Sequence, residues 1–147
     1  MSDEHTDCVN KLIVIGKRLD FEALGILKGK MQDLCRPDCV WYYKGKGSKE
    51  LRKIAQGDKY RYLPFIAFEV AFSENEKNLR GSMLSLQLAN AAASVIVLLG
   101  NPDRLKNLKP KLKKLFGRYS YIRYRIWTKR DVDTLYSKVI KKYPKSS

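Results

Sequence analysis

An α/β fold is predicted, with a central mixed sheet of about four to five strands flanked by helices. Two observations carry it. Short runs of β-branched and aromatic residues, such as Val40 to Tyr43 and Pro64 to Phe72, alternate with longer stretches whose apolar residues recur at helical spacing. One run, Val95-Ile96-Val97-Leu98-Leu99-Gly100, lacks any polar alternation, as expected of a central strand covered on both faces. The 147 residues suit one domain over 1–147 with a single core.

From Asp7 to Leu19, Val9, Leu12, Ile13, Gly16 and Leu19 recur on one side of a helical wheel, while Lys11, Lys17 and Arg18 fall elsewhere. An amphipathic first helix follows. Phe21 to Lys28 reads as a strand, Lys30 to Arg36 as a turn, and Val40 to Tyr43 as a second strand introduced by Pro37, a hairpin being the simplest connection. Residues 44 to 62, rich in Lys, Gly and Arg, read as a basic loop with one helical turn around Leu51 to Ala55.

Pro64 to Phe72 is a third, strongly apolar strand. Ser73-Glu74-Asn75-Glu76 then has the S-x-x-E spacing of a capping box, opening a helix expected to run to about Ser94. Its Gly81, Ser82, Ser85, Ala89 and Ala92 form a small-residue face beside an apolar one of Leu79, Met83, Leu86 and Ala93. Asn101-Pro102 opens a Lys-rich helix disturbed at Pro110, Tyr121 to Trp127 is a further strand, and Thr128 caps a last helix striped by Val132, Leu135, Tyr136, Val139 and Ile140. The basic tail from Lys141 to Ser147 is expected to fray.

Thirty Lys and Arg against 15 Asp and Glu give a formal charge of +15, spread over the whole chain. A polyanion, nucleic acid first, is the expected partner. No apolar stretch is long enough for a bilayer, and the N-terminus is polar and acidic, so the expectation is a cytoplasmic protein with no membrane partner. Cys8, Cys35 and Cys39 are odd in number and His5 is the only histidine, which speaks against zinc; Cys39 reads as a small core residue.

Asp38 and Glu69 are the residues that strand-forming surroundings make costly: a carboxylate among β-formers needs a partner, and a divalent cation serves two acids at once. If the second and third strands run antiparallel, the start of one lies beside the end of the other. The two acids then converge on one Mg²⁺ or Mn²⁺, which would polarise a phosphodiester and activate water.

Arg36-Pro37-Asp38-Cys39-Val40-Trp41 resembles the R-P-D-V-V-W segment, and Ala67-Phe68-Glu69-Val70 the A-F-E-V segment, of the PD-(D/E)XK nuclease superfamily, over about residues 9 to 100. The resemblance implies a restriction-endonuclease-like core and a Mg²⁺- or Mn²⁺-dependent DNA endonuclease with Asp38 and Glu69 as metal ligands. The chain departs from the pattern at Ala71, where the family places its catalytic lysine. Lys77, after the third strand, and Lys28 and Lys30, at the end of the first, are the candidates for a migrated lysine. Gln87 resembles the helical glutamine that some relatives direct towards the site, and Glu76 is explained by its capping box.

Candidate phosphate contacts are Lys44, Lys46, Lys49, Arg52 and Lys53 in the basic loop, Arg80, and Lys106, Lys109, Lys111, Lys113 and Lys114 on the Lys-rich helix. Tyr119, Tyr121, Tyr124 and Trp127, interleaved with Arg118, Arg123 and Arg125, offer either base stacking or core packing. So small a domain leaves little for sequence readout unless it forms a homodimer, so structure-selective or weakly specific cleavage of DNA is expected, RNA being a further possible substrate. The alternative is a non-catalytic nucleic-acid-binding module with the nuclease fold.

Overall fold

The computed structural model describes residues 3–25, 37–44, 50, 54, 63–72, 76–119 and 123–145. Helix α1 (Asp3–Arg18) leads into β1 (Glu22–Gly25), β2 (Cys39–Tyr43) and β3 (Leu63–Phe72), then α2 (Glu76–Ala89), β4 (Ala93–Leu99), α3 (Pro102–Tyr119), β5 (Arg123–Thr128) and α4 (Lys129–Lys142). The five strands form one mixed sheet in the order β1-β2-β3-β4-β5. The first three make an antiparallel meander, whereas β4 and β5 run parallel to β3, joined through α2 and α3. The expected α/β class is observed.

Strand alternation divides the core into two layers. Phe68 and Val70 of β3, with Val95, Val97 and Leu99 of β4, join Cys8, Leu12, Ile15, Trp41, Val132 and Val139 under α1 and α4. Ala67 and Ala71 of β3, with Ile96 and Leu98, join Leu79, Leu86, Leu112 and Phe116 under α2 and α3. The unbroken apolar run at Val95 to Leu99 follows from this, because both of its faces are covered. It lies one strand from the edge, and β3 holds the middle.

Helix α1 begins a turn earlier than periodicity predicts. Its first residues, Asp3, Glu4, His5 and Thr6, contain nothing apolar to extend the pattern, yet Asp3 and Glu4 suit a helix N-terminus as Lys17 and Arg18 suit its end. Helix α2 ends at Ala89, five residues before the expected Ser94, which is instead buried in β4. Asn90 is the stop: it takes a left-handed φ of 50°, which asparagine tolerates, and the alanines around it had hidden the boundary. Leu79, Met83 and Leu86 are buried as expected, whereas Gly81 is exposed.

Helix α3 runs unbroken through Pro110, which is exposed and gives up one intrahelical hydrogen bond without ending the helix. Asn101 caps it, the Asp103 N–H donating to Asn101 Oδ1 at 2.9 Å. At α4 the Asp131 carboxylate accepts from the Thr128 N–H at 2.7 Å, so the expected cap is present. The tail is anchored farther than expected, since Arg18 Nη1 donates to the Tyr143 carbonyl at 2.9 Å. Lys11 Nζ ties α1 to α4 through Asp133 at 2.7 Å. The expected turn at 30–36, the basic loop and the capping box at Ser73 lie outside the described residues, save Lys44, Glu50, Ile54 and the backbone of Glu76. No described helix is long and apolar enough to cross a membrane.

Gly16 lets α1 lie directly on the sheet. A Cβ there would stand 2.6 Å from Trp41 Cδ1 and 2.8 Å from Ala23 Cβ, and the same indole donates its N–H to the Leu12 carbonyl at 2.9 Å. Gly16→Ala is therefore expected to destabilise the fold by about 1–3 kcal/mol through overpacking, despite the better helix propensity of alanine. A denaturant midpoint equal to or above that of the parent protein would contradict this.

Between β2 and β3 the register slips once: Trp41 pairs with Ile66 but Tyr42 with Pro64, leaving Phe65 as an extra residue on β3. Phe65 stacks on Phe21, ring centroids 5.4 Å apart, and Phe21 in turn stacks on Trp41 at 5.7 Å.

Candidate metal centre

Cys39 pairs with Phe68 across the antiparallel β2–β3 ladder, so Asp38, the residue before it, falls opposite Glu69. The ladder ends at that point. The Val70 N–H lies beyond the first residue of β2, and the Asp38 carboxylate supplies the missing acceptor, Oδ2 receiving it at 2.8 Å. Pro37, buried just ahead, commits the chain to an extended approach.

Glu69 alternates with Phe68 and Val70 and therefore faces the opposite layer, between Ala67 and Ala71 and beneath α2. It is only 8% exposed. Burial pushes its carboxyl up to about 9, the adjacent Asp38 charge and a hydrogen bond to the Asp38 side chain push the same way, and the Ser82 hydroxyl on α2 opposes them. Burial and the neighbouring Asp38 charge thus both favour the form of Glu69 that carries a proton.

A divalent cation fits this arrangement in place of that proton. Both donors are hard carboxylate oxygens, and one or two carboxylates with water and phosphate oxygens complete a Mg²⁺ or Mn²⁺ shell. Among the described residues no group of three or more His, Cys, Asp and Glu is arranged to hold a metal ion. Asp38 and Glu69 are the two residues that would hold such an ion.

The pair sits where β1, β3, β4 and β5 end and β2 begins, the edge at which parallel α/β sheets place ligands. The helices α3 and α4 start at this edge, bringing Arg104, Lys129 and Arg130 to it, and α1 starts there too. Lys129 Nζ lies 3.9 Å from Glu4 of α1. His5, the next residue, has Nε2 3.4 Å from Asp38 Oδ2.

Of the other sequence-predicted residues, Lys77 is exposed on α2, about 7.5 Å along the helix from Ser82 towards the site, and Gln87 is half-buried a similar distance the other way. Ser82, read in the sequence only as a packing residue, is the α2 side chain that meets Glu69. Lys28 and Lys30 lie outside the described residues, as do Lys46, Lys49, Arg52 and Lys53. Lys44 follows β2 at the far end of the sheet, 3.8 Å from Asp20, so it is remote from the acids. Arg80 is exposed on α2, two residues before Ser82, while on α3 Lys113 is exposed and Lys109 half-buried.

Two aromatic residues offered for base stacking are engaged in the core. Tyr124 stacks on Phe116 with centroids 4.2 Å apart, and Trp127 packs on Phe68 at 5.7 Å, while Arg123 and Arg125, either side of Tyr124, are exposed. Cys39 is fully buried with its thiol raised to about 12 by desolvation, as a core residue should be. His5 escaped the sequence reading because it sits in a polar first turn with no pattern around it.

No family model matches the chain, no curated protein matches it, and no solved structure matches it.

Proposed function

We propose that the protein is a metal-dependent DNA endonuclease, structure-selective or weakly sequence-specific, acting by phosphodiester hydrolysis. The observation that carries this reading is the Asp38–Glu69 pair: two carboxylates forced together at the ligand-binding edge of an α/β sheet, in a chain of charge +15. A cation bound there supplies Lewis-acid polarisation of the phosphodiester and lowers the pKa of a coordinated water. Asp38, just before β2, and Glu69 on β3 would hold the cation between them. The Val70 N–H fixes one Asp38 oxygen, and the walls from β3 and α2 keep bulk water from Glu69. Arg104 and Arg130 at the same edge attract the flanking phosphates.

The test is cleavage with Mg²⁺ or Mn²⁺ over single-stranded, duplex and branched DNA and RNA, beside Asp38→Ala and Glu69→Ala. Binding in EDTA should show little base preference and should weaken by on the order of a thousandfold between about 50 and 200 mM salt. Anisotropy that does not respond to salt would contradict the electrostatic grip; cleavage unchanged in both alanine variants would refute the site.

A second reading, a binding module that keeps the nuclease fold without cleaving, is favoured by Ala71, which is buried among Leu79 and Leu98 where an ammonium would be expected. Salt-sensitive binding with every substrate left intact in Mn²⁺ would select it.

A further inference from the structure

A histidine in the first turn of a helix is poorly placed for the helix itself, because the N-terminal end favours negative charge and Asp3 and Glu4 already supply it. His5 nevertheless turns inward. Its side chain is 12% exposed, on the helix flank that also carries the buried Cys8 and Leu12 at i+3 and i+7. That flank rests on the sheet beside the start of β2.

The Asp38 Oδ2 is approached from two elements. The Val70 N–H reaches it from β3 at 2.8 Å, and His5 Nε2 from α1 at 3.4 Å. A carboxylate held at one oxygen by a sheet donor and a helix donor cannot rotate freely, and its other oxygen is the one left for a cation shared with Glu69.

We propose that His5 is the positioning residue of this centre: from α1 it fixes the Asp38 carboxylate in the orientation that binds a divalent cation together with Glu69. This rests on the metal-site reading above and deepens it. It makes the first helix part of the site, although neither acid belongs to that helix.

Calorimetric titration of Mn²⁺ into the full chain and into three variants, with thermal melts in EDTA alongside, tests it. Glutamine carries an N–H at the same bond distance from Cα as the imidazole Nε2, whereas the asparagine amide falls one bond short. His5→Ala and His5→Asn are expected to weaken Mn²⁺ binding by about 10- to 100-fold, and His5→Gln to restore most of it, with similar melting temperatures for all three. Should His5→Ala lose the fold, His5→Asn carries the comparison. Parent protein that binds Mn²⁺ no more tightly than His5→Asn overturns the positioning role and leaves the two-acid site standing. Equal weakness of His5→Gln and His5→Asn also overturns it, since a donor at the right distance would then be insufficient. If the parent protein binds no Mn²⁺ at all, the metal-site reading fails, and this inference with it.

Discussion

Glu69→Gln is expected to lower Mn²⁺-dependent cleavage by on the order of a thousandfold and, in the same protein without metal, to raise thermal stability above about pH 7. The two effects have one origin. Glutamine keeps the shape of a protonated glutamic acid and its ability to donate to Asp38 and to meet Ser82, but it cannot become the second carboxylate of a cation site. The carboxyl of Glu69 is raised to about 9 in the folded chain from an ordinary 4.5. Its contribution to stability is therefore complete below 4.5 and is lost as pH rises towards 9, because the unfolded chain releases this proton first. The loss approaches about 1.4 kcal/mol per pH unit for one such proton, less whatever other groups offset. The amide does not titrate, so the slope should flatten. Mn²⁺ acts in the opposite sense on the parent protein, stabilising it by about 2.7 kcal/mol at a hundredfold excess over Kd, and leaves the variant unmoved. Melts in EDTA at several pH values, repeated with Mn²⁺, decide the matter: a variant less stable than its parent at pH 8, or equally stabilised by Mn²⁺, removes the buried-pair account.

Ala71→Lys is expected to raise cleavage by about a hundredfold while changing DNA affinity far less, because an ammonium beside the scissile phosphate acts mainly on the transition state. Residue 71 lies two positions beyond Glu69 on the same face of β3, so a lysine stem there would run along the apolar layer and carry its charge out at the end of the sheet. Insertion among Leu79 and Leu98 costs about 1–3 kcal/mol of stability. Lys77 competes for the same role from the first turns of α2. If it supplies the ammonium, Lys77→Ala lowers turnover and adding Ala71→Lys restores it. Full activity in Lys77→Ala, with no gain from Ala71→Lys, would leave a mechanism of two acids and metal alone.

The acids were legible because they break a pattern. Asp38 and Glu69 interrupt apolar strand runs, and antiparallel pairing of adjacent strands then suffices to oppose them. The apolar run of β4 and the α4 cap were legible for the same reason, a strong local signal that tertiary packing reinforces. His5 and Ser82 were not, since one sits in a turn without periodicity and the other is a small residue whose partner is known only once β3 lies beneath α2. The alanines from Ala89 to Ala93 concealed a helix end and a strand start, because alanine is at home in either. Tyr124 and Trp127 show the converse: an aromatic–arginine alternation suggests a stacking platform, but the same alternation is what an amphipathic strand needs to bury its rings.

The extra residue at Phe65 sets the phase of β3. On its far side Leu63 and Pro64 follow one alternation, and from Ile66 onward the strand follows another, locked to β2 by Trp41 and Cys39. Changes in chain length upstream of Phe65 are taken up at this slack point and do not reach Glu69. Loss of a single residue between Ile66 and Glu69 has no such outlet: it turns the glutamate into the layer of Trp41 and Val97 and swings Phe68 towards Ser82, exchanging the contents of the two layers. Tolerance to insertion and deletion along this one strand is therefore sharply unequal, generous at its beginning and nil within four residues of its carboxylate.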